Sequence, residues 1–170
     1  HVDHKNTDTF IQYNFMKDCE GGFVEILGGN ERAVYRFNIS LNDGWRENPN
    51  WQNSDHTLWL SDKIGGNGGH ESLDSYIYNN TVIINKANAE AYDTAIDISA
   101  INTRIYNNIF YAVNGSGIGN QQVYVQDPNL LMSHNLFYGN INQSFKNKGN
   151  NNVLADPKFN NTLLEHPYGF

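Results

Sequence analysis

Short apolar runs separated by polar and glycine-rich stretches recur along the whole chain, and in several of them apolar and polar residues alternate strictly. The clearest are "FVEIL" (23 to 27), "TLWLS" (57 to 61), "AIDIS" (95 to 99) and "QVYVQ" (122 to 126). A period of two predicts β-strands with one buried face, whereas an i, i+3, i+4 stripe with a good N-cap is nowhere sustained. Val24 and Ile26, Leu58 and Leu60, Ile96 and Ile98, and Val123 and Val125 are therefore expected to point inward. The residues between them, Glu25, Trp59, Asp97 and Tyr124, are expected to point outward.

A second pattern sets how these strands repeat. "QYNFMK" at 12, "RFNISL" at 36, "IYNNTV" at 77, "IYNNIF" at 105 and "SHNLFY" at 133 share an asparagine before an apolar run. Aligned on Asn14, Asn38, Asn80, Asn108 and Asn135, the spacings are 24, 42, 28 and 27. A repeat of this length is the mark of a solenoid, with the longest interval read as one coil enlarged by an insertion of about 15 residues, placed at 44 to 70. Stacked coils bring equivalent positions over one another at the strand spacing of about 4.8 Å. The repeated asparagine is then expected at a tight corner, in the left-handed conformation, its side-chain amide bonding to the equivalent residue one coil along.

The "YNN" cores, "EGGF" at 20, "RFNISLNDG" at 36 and the closing "LADPKF" at 154 together resemble the right-handed parallel β-helix proteins of the pectate-lyase-like superfamily, in particular secreted bacterial members that act on polysaccharides. The resemblance spans nearly the whole chain. It implies an all-β, right-handed parallel β-helix of about five to six coils, with one tryptophan-rich insertion loop. The expected organisation is a single domain over 1–170, read as the C-terminal part of a longer β-helix. It also implies a secreted or cell-surface location, the periplasm being an alternative, and it admits calcium as a cofactor. No D-x-D-x-D-G loop supplies obvious calcium ligands, and no other metal is expected. The superfamily holds lyases, hydrolases, esterases and adhesins, so the resemblance fixes a fold more firmly than an activity.

Composition narrows the chemistry. A net charge of −7 and a pI near 5.2 remove the basic footprint of a nucleic-acid binder. Twenty-eight asparagines could suggest disorder, but 39% hydrophobic residues with strong β-formers between the Asn clusters argue for an ordered sheet. No apolar run is long enough for a membrane span. The single cysteine, Cys19, excludes an internal disulfide and, beside an apolar run, is expected to be a buried, inert thiol.

All three tryptophans, Trp45, Trp51 and Trp59, lie in or beside the expected insertion. Flat aromatic faces suit sugar rings, and a private mini-core for the loop is the competing reading. Glu25 and Asp97, two coils apart in the outward column, would have backbones about 9 to 10 Å apart. That is near the upper end for an inverting glycosidase pair, in which an acid and a water-activating base face one another. Ordinary solvated charges are the alternative. Asp43, at the root of the loop beside Trp45 and Arg46, is either a substitute acid, a sugar ligand, a calcium ligand or a turn cap. His56 is a further candidate for substrate contact, with Tyr124 completing the groove. "GGNGG" at 65 lacks a following Lys-Ser or Lys-Thr and is no phosphate loop, and His134 is expected to be structural. "HVDH" at 1 to 4 is weak as a metal site.

The leading expectation is thus hydrolysis of glycosidic bonds in an extracellular polysaccharide. A polysaccharide lyase ranks below it because the arginines are few and scattered, and a non-catalytic glycan-binding or structural module is the alternative from another class.

Overall fold

The computed structural model describes residues 1–44, 55–62, 69–86 and 93–160. Within them the chain winds as a parallel β-helix of about five coils. The first coil holds β1 (Phe10–Gln12), β2 (Phe15–Lys17) and β3 (Val24–Ile26); the second β4 (Val34–Arg36), β5 (Ile39–Leu41) and β6 (His56–Leu60). The third holds β7 (Tyr76–Tyr78), β8 (Thr81–Ile84) and β9 (Asp93–Ile98); the fourth β10 (Arg104–Tyr106), β11 (Ile109–Ala112) and β12 (Gly117–Val125). In the last turn β13 (Leu131–Ser133) and β14 (Leu136–Gly139) are followed by a short helix α1 (Gln143–Lys146) and β15 (Val153–Leu154).

Each strand pairs in parallel with its equivalent one coil away, giving three sheets. The first is β1-β4-β7-β10-β13, the second β15-β14-β11-β8-β5-β2 and the third β12-β9-β6-β3. The core is the space they enclose. Val24, Leu58 and Ile96 form one column of the third sheet, and Ile26, Leu60 and Ile98 the next, all fully buried. Ile77 and Ile105 from the first sheet and Val82 and Phe110 from the second meet them. Where a third-sheet strand of the last coil would lie, α1 instead inserts Phe145, buried against Phe110 and Phe137 at ring separations of 5.5 and 5.8 Å. Asn142 caps it, accepting from the Ser144 N–H. Four residues are too few to leave a helical stripe in the sequence.

The asparagine ladder is present in full. The N–H groups of Asn14, Asn38, Asn80 and Asn108 donate to Oδ1 of the next asparagine at 3.0 to 3.1 Å, and each Nδ2 donates to the same oxygen at 3.0 Å. The second Nδ2 hydrogen of Asn38, Asn80 and Asn108 goes to a carbonyl one coil back, of Ile11, Tyr35 and Ile77. The amide is thereby satisfied at both ends inside a buried corner, where an unpaired group would cost about 1 to 3 kcal/mol. Asn135 continues the ladder to Asn152, a rung that lies 17 residues on and falls outside the repeat because α1 shortens that coil.

The left-handed residue is not the ladder asparagine but the one before it. Tyr13, Phe37, Asn79, Asn107, His134 and Asn151 all have φ between 51° and 59°. This explains the doubled "NN": the first asparagine takes the positive φ and the second makes the ladder. Similar columns of positive φ stand at the other corners, at Asp8, Arg32, Asp74 and Asn102, and at Asp18, Asn42 and Asn114. Asn and Asp tolerate this conformation better than most residues.

Two further expectations are corrected. Cys19 is exposed, although its backbone is bonded to Asp43 and Gly44 of the next coil; its thiol is nonetheless pushed above the usual value, first by partial burial and then by the charge of Asp43. The span 44–70 is not insertion throughout, since β6 lies within it and pairs with β3 and β9; residues 45–54 and 63–68 of that span lie outside the described residues.

Candidate functional site

The third sheet positions the outward column as its alternation predicts. Glu25 pairs in register with Trp59, Trp59 with Asp97, and Asp97 with Tyr124. The column has one more member. Val2 bridges Ile26 in parallel, which sets His1 beside Glu25, its Nδ1 3.6 Å from Glu25 Oε2. Nothing in the first residues alternates, so this neighbour is not legible along the chain.

The members of the column differ in exposure. Tyr124 is exposed, Trp59 and Asp97 are half-buried, and Glu25 is only 6% exposed. Glu25 Oε1 accepts the Gly22 N–H at 2.9 Å, and Asp97 Oδ1 accepts the Ser99 hydroxyl at 2.9 Å. A glycine at 22 is required for close approach: a Cβ there would lie 2.5 Å from the carbonyl oxygen of His56 on the next coil. Gly44, with φ of +96°, meets the same oxygen in the same way.

His56 reaches this face by an irregularity. Strict alternation would turn it inward with Leu58 and Leu60. Between β6 and β9 the register shifts, His56 pairing with Ala95 and Leu58 with Ile96, so Thr57 is an extra residue on β6. A bulge of this kind reverses the phase of the strand before it. His56 consequently stacks on Trp59, with ring centroids 4.9 Å apart and planes 14° from parallel. One indole face is covered by the imidazole, and Nδ1 of His56 is buried with no hydrogen-bond partner among the described residues. Thr57 is held by a buried 2.6 Å bond to the Thr94 hydroxyl.

Next to this group Asp55 Oδ2 accepts from Gln121 Nε2 at 3.3 Å, and the same amide donates to the Asp93 carbonyl. Burial pushes the Asp93 carboxyl above its ordinary value, although its Oδ1 accepts the N–H groups of Thr94 and Asn120. Asp55, Asp93 and Gln121 thus form a polar margin that strand alternation does not reveal, because Gln121 lies in a second irregularity, between Ile118 and Gln122.

Asp43 is held apart from the column. Its oxygens accept the Ser40 hydroxyl at 2.6 Å and the Cys19 N–H at 2.9 Å, the arrangement of a turn cap, and burial raises its pKa. Trp45, Arg46 and Trp51 lie outside the described residues. Among the described residues no group of three or more His, Cys, Asp or Glu side chains converges to hold a metal ion, so no step is assigned to calcium. Compared with family models, with curated proteins and with solved structures, the chain matches none.

Proposed function

We propose that this protein is a carbohydrate-active β-helix that lays an extracellular polysaccharide across the outer face of the third sheet and hydrolyses its glycosidic bonds. The observation that carries the proposal is the register Glu25, Trp59, Asp97. Two strand spacings separate the carboxylate backbones by roughly 9.6 Å. Inverting pairs stand about 6.5 to 9.5 Å apart and retaining pairs about 5 to 5.5 Å, so an inverting geometry is favoured. One carboxyl would protonate the leaving oxygen while the other activates a water on the opposite face of the sugar. Trp59 lies between them, and the indole face not covered by His56 would serve as the sugar platform. Tyr124 would extend the contact along the coil axis. Kinship with the pectate-lyase-like superfamily, and a secreted or surface location, belong to this proposal and draw on the fold only in a general way.

A second reading, glycan binding without turnover, draws on a different observation. Glu25 is buried and its Oε1 is committed to the Gly22 N–H, a state that suits a structural carboxylate. The test is release of reducing ends across neutral and anionic polysaccharides, with absorbance at 235 nm followed in parallel, for the protein and its Glu25→Gln and Asp97→Asn variants. Reducing ends without absorbance, lost in both variants, support the hydrolase. Absorbance would mean a lyase and retire the pair. Tryptophan quenching by a glycan that is never cut would establish the binding reading.

A further inference from the structure

The outer face of the first sheet has a chemistry opposite to that of the whole chain. Its two outward columns, Phe10 to Leu131 and Gln12 to Ser133, hold five positions each, and none is Asp or Glu. Yet the chain as a whole carries a charge of −7. The columns contain Arg36 and Arg104, and the rings of Tyr76, Tyr78 and Tyr106 lie on the strands β7 and β10.

Neither arginine has a carboxylate partner among the described residues. Arg36 lies over the rings of Phe10, Phe37 and Tyr78, with its carbon 5.4, 5.8 and 6.0 Å from their centroids. Its Nε donates to Gln12 Oε1 and its Nη1 to the Tyr78 hydroxyl. Among the described residues Arg104 uses only Nη1, which donates to the carbonyls of Thr103 and Asn129. Arg32 shows the contrast, bonded to both Asp8 and Glu31. The corner carboxylates around this sheet are engaged as well, Asp8 by Arg32, Asp74 by the Asn102 amide, and Asp127, close to Arg104, by the N–H groups of Asn102, Thr103 and Asn129. A guanidinium with donors to spare and no carboxylate bonded to it, in Arg36 held by aromatic rings as well, is prepared for an external carboxylate or sulfate.

We propose that this face binds an acidic polysaccharide, at a site separate from the third-sheet column. Arg36 and Arg104 stand two strands and two residues apart, about 12 Å between backbones. No single small anion spans that distance; two charged groups on one extended polymer do. Single-stranded nucleic acid, the other linear polyanion, is disfavoured by the rings themselves. Tyr78 stacks on Tyr106 at 4.9 Å and Tyr13 on Phe37 at 5.2 Å, so faces that bases would need are already used. What these tyrosines offer outward is ring edge and hydroxyl, which suits sugar hydroxyl and carboxylate oxygens.

The test is affinity electrophoresis and calorimetry with polygalacturonate, alginate and dextran sulfate, with neutral dextran and a thymidine oligonucleotide alongside. The expected result is salt-sensitive binding of at least one acidic polysaccharide and none of neutral dextran. Arg104→Gln, which among the described residues removes hydrogen bonds to two backbone carbonyls only, should weaken binding several-fold. Arg36→Gln/Arg104→Gln should weaken it tenfold or more, with Arg32→Gln as the control that removes an already paired charge. The proposal is overturned if the protein binds no acidic polysaccharide, if Arg104→Gln binds as tightly as the parent, or if the oligonucleotide binds tighter than every polysaccharide. Because Glu25 and Asp97 are on another sheet, lost binding here and lost cleavage there are independent readouts.

Discussion

Asn38 and Asn80 are 42 residues apart, yet they are bonded in the same way as Asn14 and Asn38 at 24: backbone N–H and Nδ2 both to one Oδ1, at 3.0 to 3.1 Å. Intervening length has no effect on the corner, because each coil closes back onto the same axial position whatever its outer loops contain.

That independence makes the ladder testable rung by rung. Asn80→Ala leaves the Asn38 N–H without its acceptor and removes the side-chain bond to the Tyr35 carbonyl, in a corner where both asparagines are about 1% exposed. A loss of about 3 kcal/mol in urea unfolding is expected. Asn14, on the exposed first rung, should cost less than about 1 kcal/mol as Asn14→Ala, since water replaces its partners. Equal losses at the two positions would show that the ladder is not what the substitution removes.

The approach of two glycines to His56 sets a second expectation. Gly22→Ala and Gly44→Ala each bring a methyl to within 2.5 Å of the His56 carbonyl oxygen, a backbone atom that cannot step aside alone. Gly115, at φ of +84° with nothing within 4 Å, isolates the cost of the left-handed backbone, which is about 1 kcal/mol or more. Gly44→Ala should therefore lose roughly 1 to 3 kcal/mol more than Gly115→Ala. Similar losses in the two would remove the close approach as the reason for glycine. Gly22→Ala should also disturb Trp59 fluorescence, through His56.

Asp43 links stability and thiol reactivity to pH. Burial raises its folded-state pKa above the ordinary 3.8, so the folded state holds the proton more tightly than the unfolded one. Its contribution to stability must then fall as the pH rises from that ordinary value through the raised one. Asp43→Asn keeps an acceptor for the Cys19 N–H and removes the buried charge. The gain in stability of Asp43→Asn over the parent should be small at low pH and grow across that window. The Asp43 charge also raises the Cys19 thiol, so Asp43→Asn should react faster with a disulfide reagent near pH 8. A slower reaction would contradict the electrostatic assignment.

By itself the sequence determined the repeat and the sidedness of the regular strands. The spacing of Asn14, Asn38, Asn80, Asn108 and Asn135 gives the registers of the first and second sheets, and the alternation about Val24, Leu58, Ile96 and Val123 gives the outward column Glu25, Trp59, Asp97, Tyr124. These are local properties, since a period of two and a recurring corner residue are written along the chain. What only the tertiary structure decided is whatever depends on the neighbouring coil. The bulge at Thr57 that brings His56 onto Trp59 exists only in relation to β9. The burial of Glu25, the exposure of Cys19 and the assignment of positive φ to the residue before each ladder asparagine likewise follow from what is stacked above and below. The acid-free face around Arg36 and Arg104 emerges in the same way: residues 68 positions apart become near neighbours because coils, rather than the chain, set distance in a solenoid.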